Sequence, residues 1–222
     1  RPCVPCCIWK WILLDFSHYK VVAYHKNNPP FDQLLPLTLD KALFEKISLA
    51  KKTFISILSL VGNTIPLEKL VRIHINQKGI KISQGNELQG CPYQVLDIVR
   101  DFDVNHGLNL RVLHWWGRGA FLFIYFGSQH PKLQATENLY SWIKENSFNL
   151  CKGNLWDYKR IIDEKKIILS ENIERDQLIE HLKSETPFQI IKPIPIVDRP
   201  TFEHNLVKEI TEALTWMDAK HI

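Results

Sequence analysis

Four charged residues in the second half of the chain have types and a spacing that could do chemistry: Asp157, Asp163, Glu164 and Lys166. Two carboxylates can hold Mg²⁺ while a lysine orients or polarises an attacking water. Glu164 and Lys166 are separated by one residue, and Asp157 lies upstream, which matches the pattern of metal-dependent nucleases. One hypothesis is therefore a small Mg²⁺-dependent nuclease or hydrolase. The alternative is a polar hairpin tip, because Asp163 and Glu164 lie between two apolar runs where a turn is expected.

A second set of residues mixes aromatic and basic side chains and could bind nucleic acid. Aromatic rings and guanidinium groups stack on bases, and cations neutralise phosphates. The set comprises Arg111, His114, Trp115, Trp116 and Arg118 in LRVLHWWGRGAFLFIYFG, and Trp156, Tyr158, Lys159 and Arg160 in WDYKR. The alternative is that these side chains belong to the core, since a histidine on an apolar strand is commonly a hydrogen-bonded buried residue. No RNP-like, KH-type or helix-turn-helix pattern accompanies them.

The cysteines argue against a disulfide framework, because their number is odd and they are widely scattered, at positions 3, 6, 7, 91 and 151. Cys3 and Cys6 form a Cys-x-x-Cys pair, which is half of a zinc site. However, the histidines that follow, His18 and His25, are too far apart to supply the other half. We therefore favour free thiols in a loosely ordered tail over residues 1–7, and no Zn²⁺ site.

Composition is that of an ordinary folded protein, with 45% hydrophobic and 23% charged residues and a net charge of +4. The charge is uneven: residues 1–100 have 13 Lys and Arg against 7 Asp and Glu, and residues 101–222 have 15 against 17. The first half could therefore present a basic face to nucleic acid. No apolar run approaches the roughly 18 residues that cross a bilayer. We therefore expect a cytoplasmic protein without a membrane segment.

Hydrophobic periodicity predicts that strand pairs alternate with helices along the chain. The predicted hairpins cover 8–25, 70–83, 110–126 and 156–169, and the predicted helices cover 43–61, 92–102, 131–148, 172–182 and 201–217. Residues 188–197 must be extended, but Pro193 and Pro195 each remove a ladder donor. This segment is therefore predicted to lie outside the centre of a sheet.

These elements predict a single α+β domain over residues 1–222. Its largely antiparallel sheet is built from successive β-hairpins that alternate with about five helices covering the sheet. The run 120–126 has no polar face, which is typical of a central strand buried on both sides. The leading functional hypothesis is a soluble binding or regulatory module whose partner could be nucleic acid. The alternatives are the nuclease and a protein-interaction subunit of a larger assembly.

Overall fold

The computed structural model describes residues 29–183 and 186–219. The predicted hairpin over 8–25, the tail over 1–7 and the Cys3–Cys6 pair lie outside the described residues. Contacts divide the chain into two compact units, Arg1–Ile47 and Ser48–Ile222, and the sheet belongs to the second. That residues 1–222 form a single domain stays a prediction.

A seven-stranded sheet forms the centre of the second unit, and all of its strand pairs are antiparallel. The strands are β1 Lys81–Leu88, β2 Cys91–Arg100, β3 Leu108–Trp115, β4 Gly119–Phe126, β5 Asn149–Cys151, β6 Ile167–Ile168 and β7 Phe188–Ile194. Their order across the sheet is β1-β2-β3-β4-β7-β5-β6. The predicted α+β class with an antiparallel sheet is confirmed. β4 is the middle strand and is buried from residue 120 to residue 126, as its lack of a polar face predicts.

Helices precede the sheet, connect its later strands and follow it. They are α1 Phe31–Leu39, α2 Lys41–Asn63, α3 Leu67–Ile73, α4 Pro131–Gln134, α5 Thr136–Glu145, α6 Arg175–Lys183 and α7 Arg199–Asp218. Asp198 caps α7, because its Oδ1 accepts the Thr201 N–H at 2.8 Å. The helix predicted over 131–148 is interrupted at Ala135, where α4 ends. Among the described residues no single helix is long and apolar enough to cross a membrane. Within the same residues, α2 and α3 together are long and apolar enough, but they are bent by 72° with respect to each other.

The two faces of the sheet are covered by different parts of the chain. On what we call the helix face, β4 residues such as Leu122 and Ile124 share a core with Leu58 of α2 and Leu206 of α7. On the opposite side, the segment face, Phe123 belongs to a smaller core with Ile161, against which Trp156 and Tyr158 pack. These last three residues lie in the 152–166 segment, which joins β5 to β6 and contains a π-helical turn, Lys159–Asp163. Both faces are therefore closed by packed side chains.

Three local predictions are wrong, and burial explains the clearest of them. The helix predicted over 92–102 is strand β2, whose residues 94–99 are all buried. A strand that is covered on both faces shows no alternation of polar and apolar residues, so its sequence can match helical spacing by chance. The hairpin predicted over 70–83 is wrong because residues 70–73 belong to α3. The hairpin predicted over 156–169 is replaced by the π-helical turn, and β6 pairs with β5 instead.

The prediction that the proline-containing segment avoids the sheet interior is also wrong, since β7 lies between β4 and β5. The pairing shows how the proline is accommodated. Ile190 and Ile191 pair with β5, whereas Pro193 pairs only with Phe121 of β4. Because β5 has only three residues, it ends before it reaches the level of Pro193. The missing N–H therefore lies where β7 has a strand on one side only.

Candidate functional site

Arg111 of β3 is enclosed on the segment face by an acid, a phenol and aromatic rings. Its Nε and Nη2 donate to the two carboxylate oxygens of Asp97 at 2.7 and 3.1 Å, and its Nη1 donates to the Tyr158 hydroxyl at 2.8 Å. The Arg111 Cζ lies 4.6 Å from the centroid of the Trp156 ring. Burial lowers the pKa of Arg111, but bonding and attraction to Asp97 and Tyr158 outweigh it, so the pKa is raised overall. All three guanidinium nitrogens are thus bonded within the protein.

Trp156 fixes the 152–166 segment to the sheet. Its backbone N–H donates to Gln189 Oε1 at 3.3 Å, and its ring lies 5.7 Å from that of Tyr125. The residue has a positive φ of 62°, which costs a non-glycine residue about 1 kcal/mol. The ring contacts with Arg111 and Tyr125 hold this turn in place. Trp156 therefore acts as an anchor for the segment, and its ring faces the sheet.

Arg118 anchors the same segment at a second point. Its Nε and Nη2 donate to Asp163 at 3.2 and 3.1 Å, and its Nη1 donates to Cys91 Sγ at 2.9 Å. The Arg118 Cζ lies 4.3 Å from the centroid of the fully buried Trp115 ring. The turn that presents Arg118 requires glycine, since Gly119 has a φ of 118°. The hydrogen bond to Asp163 raises the pKa of Arg118.

His114 and Trp116 lie on the helix face, away from Arg111 and Trp115. The Gln94 Oε1 accepts the Trp116 Nε1–H at 3.0 Å and lies 2.8 Å from His114 Nδ1. Because this carbonyl oxygen can only accept, the proton of neutral His114 is on Nδ1. Burial lowers the pKa of His114 to about 4, so the ring is neutral at pH 7. With Phe54 stacked on it at 3.7 Å between centroids, His114 is a hydrogen-bonded core residue.

The carboxylates of the nuclease hypothesis have other partners. Asp157 Oδ1 accepts the Arg160 N–H at 3.2 Å and so caps the π-helical turn, and both Asp163 oxygens accept from Arg118. Glu164 and Lys166 are exposed. Within residues 29–183 and 186–219, no three Asp, Glu, His or Cys side chains are grouped to hold a metal ion. The assignment of Asp157, Asp163, Glu164 and Lys166 to a Mg²⁺-dependent nuclease stays a prediction.

A buried polar cluster outside the predicted sets lies where α3, β2 and the loop before α4 meet. His74 Nε2 lies 2.7 Å from Asp101 Oδ2, and the His74 and His130 rings are 6.1 Å apart. Burial is the largest of the causes that lower the pKa of His130 to about 4, and repulsion from His74, Lys132 and His106 contributes to the same shift. No sequence pattern indicated this cluster, because its members are far apart along the chain and Asp101 lies in a region predicted as helix.

The exposed cations of the 152–166 segment form what we call the basic surface: Lys152, Lys159, Arg160, Lys165 and Lys166. Backbone hydrogen bonds hold them close together. The Lys152 N–H donates to the Lys166 carbonyl at 2.8 Å, and the Lys166 N–H donates to the Arg160 carbonyl at 2.9 Å. Arg160 is 3.7 Å from Asp157, whereas the four lysines form no salt bridge with any residue that the structure describes.

The predicted binding set therefore separates into three groups. Arg111, Trp156 and Tyr158 pack together inside the segment face, with Trp115 and Arg118 beside them. His114 and Trp116 are on the helix face. Of the predicted set, only Lys159 and Arg160 are exposed. Comparison of the chain with protein-family models, with curated proteins and with solved structures gives no match.

Proposed function

We propose that this chain is a binding module that contacts the phosphate backbone of nucleic acid through its basic surface. The observation that supports the proposal is the group of four exposed lysines, Lys152, Lys159, Lys165 and Lys166, without salt bridges to described residues. Cations that lack carboxylate partners are available to replace the counterions of a polyanion. The proposal keeps the cytoplasmic location that the sequence predicts.

Two anchors make this surface stiff before any ligand binds. Arg111 holds Tyr158 and Trp156 just before the π-helical turn, and Arg118 holds Asp163 at its end. A preformed surface loses less conformational entropy on binding than a flexible loop does. Arg111 and Arg118, which the sequence suggested as ligands, thus support the lysines that contact the ligand.

The mode of binding follows from where the aromatic rings lie. Trp115 is fully buried, and the Trp156 ring is enclosed by Arg111 and Tyr125. Neither of these two rings is free to stack on a base, so we expect base stacking to contribute little. We therefore expect binding that depends on charge, tolerates different sequences and weakens steeply with salt.

Fluorescence anisotropy with labelled single-stranded and double-stranded DNA and RNA tests the proposal. The triple variant Lys152→Gln, Lys159→Gln, Lys166→Gln should bind at least about tenfold more weakly at low salt. The slope of log K against log salt should become shallower by about two to three, one contact for each lost cation. The control is Lys208→Gln, an exposed lysine of α7, which should bind like the wild type. No detectable binding at low salt, or equal losses in both variants, would refute the proposal.

A further inference from the structure

Strand β1 forms one edge of the sheet and pairs on one side only. Its regular pairing with β2 covers residues 81–85, from Lys81 opposite Asp97 to Gly85 opposite Tyr93. No other strand that the structure describes pairs with its outer side. In an edge strand, alternate residues direct an N–H and a C=O away from the sheet, where they can pair with another chain. The register shift between Gly85 and Leu88 ends this regular edge. The available edge is therefore about five residues long.

Helix α2 packs on the helix face and brings two lysines, Lys51 and Lys52, close to this edge. A cavity of about 420 Å³ lies between the helix and the strand, lined by Ser48, Lys51, Lys52, Ile55 and Ser56 of α2 and by Gln84 of β1. Lys51 Nζ donates to Asn86 Oδ1 at 2.6 Å, which ties the helix to the strand. No carboxylate lines the cavity, and Lys52 forms no salt bridge with a described residue. A volume of this size is in the range of sites that hold ligands.

We propose that the groove between α2 and β1 binds an extended acidic peptide segment of a protein partner, which adds to the sheet as an eighth strand. The peptide backbone pairs with residues 81–85, and this pairing gives affinity without regard to side chains. Side chains of a strand alternate between its two sides, so every second residue of the peptide faces α2. Carboxylates at those positions meet Lys51 and Lys52. The preferred ligand is thus an extended segment with Asp or Glu at alternate positions.

Nucleic acid does not fit this groove as well as an extended peptide does. A phosphate backbone has no amide N–H groups and cannot extend a β ladder, so it would leave the edge of β1 unpaired. The groove combines an unpaired strand edge with cations, whereas the basic surface of the 152–166 segment has cations alone. This inference is therefore independent of the proposed nucleic-acid binding.

The probe for the test is a fluorescein-labelled peptide of alternating Glu and Val, seven residues long and blocked at both ends. Anisotropy should show saturable binding to the full chain. A second peptide has the same sequence and charge but is N-methylated on the residues that pair with β1, and it should bind at least about tenfold more weakly because it cannot complete the ladder. The double variant Lys51→Glu, Lys52→Glu should lose a similar factor through repulsion. The matched control is Lys159→Gln, Lys166→Gln, which should leave the affinity unchanged.

Amide hydrogen exchange distinguishes backbone pairing with β1 from binding that depends on charge alone. Bound peptide should slow the exchange of outward-facing N–H groups within residues 81–85 and leave those of β4 as they are. Four results would overturn the proposal: no binding up to about 1 mM, equal binding of the N-methylated peptide, a loss that follows Lys159 and Lys166, or a dimer of the free chain in which residues 81–85 are already protected. The N-methylated peptide tests the idea even if the charge-reversed variant folds poorly.

Discussion

The Arg111 guanidinium and the Asp97 carboxylate, directly opposite each other on β3 and β2, form two hydrogen bonds of 2.7 and 3.1 Å. Their side chains are only 17% and 6% exposed. This pair decides the role of an arginine that the sequence offers as a ligand for nucleic acid. With its charge matched inside the protein, Arg111 supports the Trp156 and Tyr158 anchors of the 152–166 segment.

Replacing Asp97 by Asn should be strongly destabilising. It leaves the charge of Arg111 buried and unmatched, which costs about 3 to 5 kcal/mol of unfolding free energy. Urea denaturation followed by tryptophan fluorescence measures the change. The comparison is Arg160→Gln, which removes an exposed partner of Asp157 and should cost less than about 1 kcal/mol. Similar losses in the two variants would contradict the structural role of the Asp97–Arg111 pair.

Gly127→Ala should also destabilise the protein, because the loop after β4 packs directly against the loop after β2. A Cβ at Gly127 would lie 2.5 Å from the backbone carbonyl of Asn105, and the Gly127 N–H donates to the Gly107 carbonyl at 2.8 Å. The two loops would have to separate, at a cost of about 3 kcal/mol. Gly90→Ala is the control: φ is +73° there but no atom lies within 4 Å, so the strain is about 1 kcal/mol. Chemical denaturation of both variants should show this order, and the reverse order would show that the loops do not pack in this way.

Stability should fall as the solution is acidified from pH 6.5 to pH 4. Burial lowers the pKa of His114 from 6.5 to about 4 in the folded state, so the unfolded chain binds more protons in this range. The stabilisation is complete above pH 6.5 and declines by about 1.4 kcal/mol per pH unit for one such histidine. His114→Gln keeps a donor for Gln94 but cannot titrate. Its pH slope, measured by urea denaturation at several pH values, should be shallower by about one proton. An unchanged slope would mean that His114 titrates normally when folded.

Glu164→Gln separates the binding proposal from the nuclease hypothesis. Glu164 is an exposed acid beside the cations of the basic surface, so its removal should strengthen nucleic-acid binding about two- to fivefold at low salt. Under the nuclease hypothesis the same change would abolish cleavage, because a carboxylate that holds Mg²⁺ is lost. Anisotropy and a cleavage assay with Mg²⁺ or Mn²⁺ measure both effects. Metal-dependent cleavage by the wild type that disappears in this variant would support the nuclease hypothesis and contradict the binding proposal.

Sequence patterns located a helix that has one buried face and a strand that consists of a long apolar run. The apolar stripe from Leu43 to Val61 identified α2, and the apolar run 120–126 identified the middle strand of the sheet. The patterns failed at β2, where burial on both faces removes the alternation that distinguishes a strand. They also failed at 156–169, where an apolar pair in a π-helical turn resembles a strand.

The sequence also proposed Lys159 and Arg160 as binding residues but could not separate these exposed cations from the buried members of the same set. Lys159 and Arg160 are exposed, whereas Arg111 lies on β3 and is paired with Asp97. An exposed arginine and a buried, paired arginine cannot be distinguished in the sequence. Only its neighbours in space distinguish a free cation from a buried ion pair.

By itself, then, the sequence determined the fold class, the central position of β4 and the overall positive charge, because these depend on hydrophobic periodicity and composition. The tertiary structure alone decided which cations face solvent, which carboxylates are already bonded and which strand is left at the edge. Those properties depend on strand register and on contacts between residues far apart along the chain, such as Asp97 with Arg111 and Arg118 with Asp163. Hydrophobic periodicity indicates which face of an element is buried, but it does not identify the residues that pack against that face.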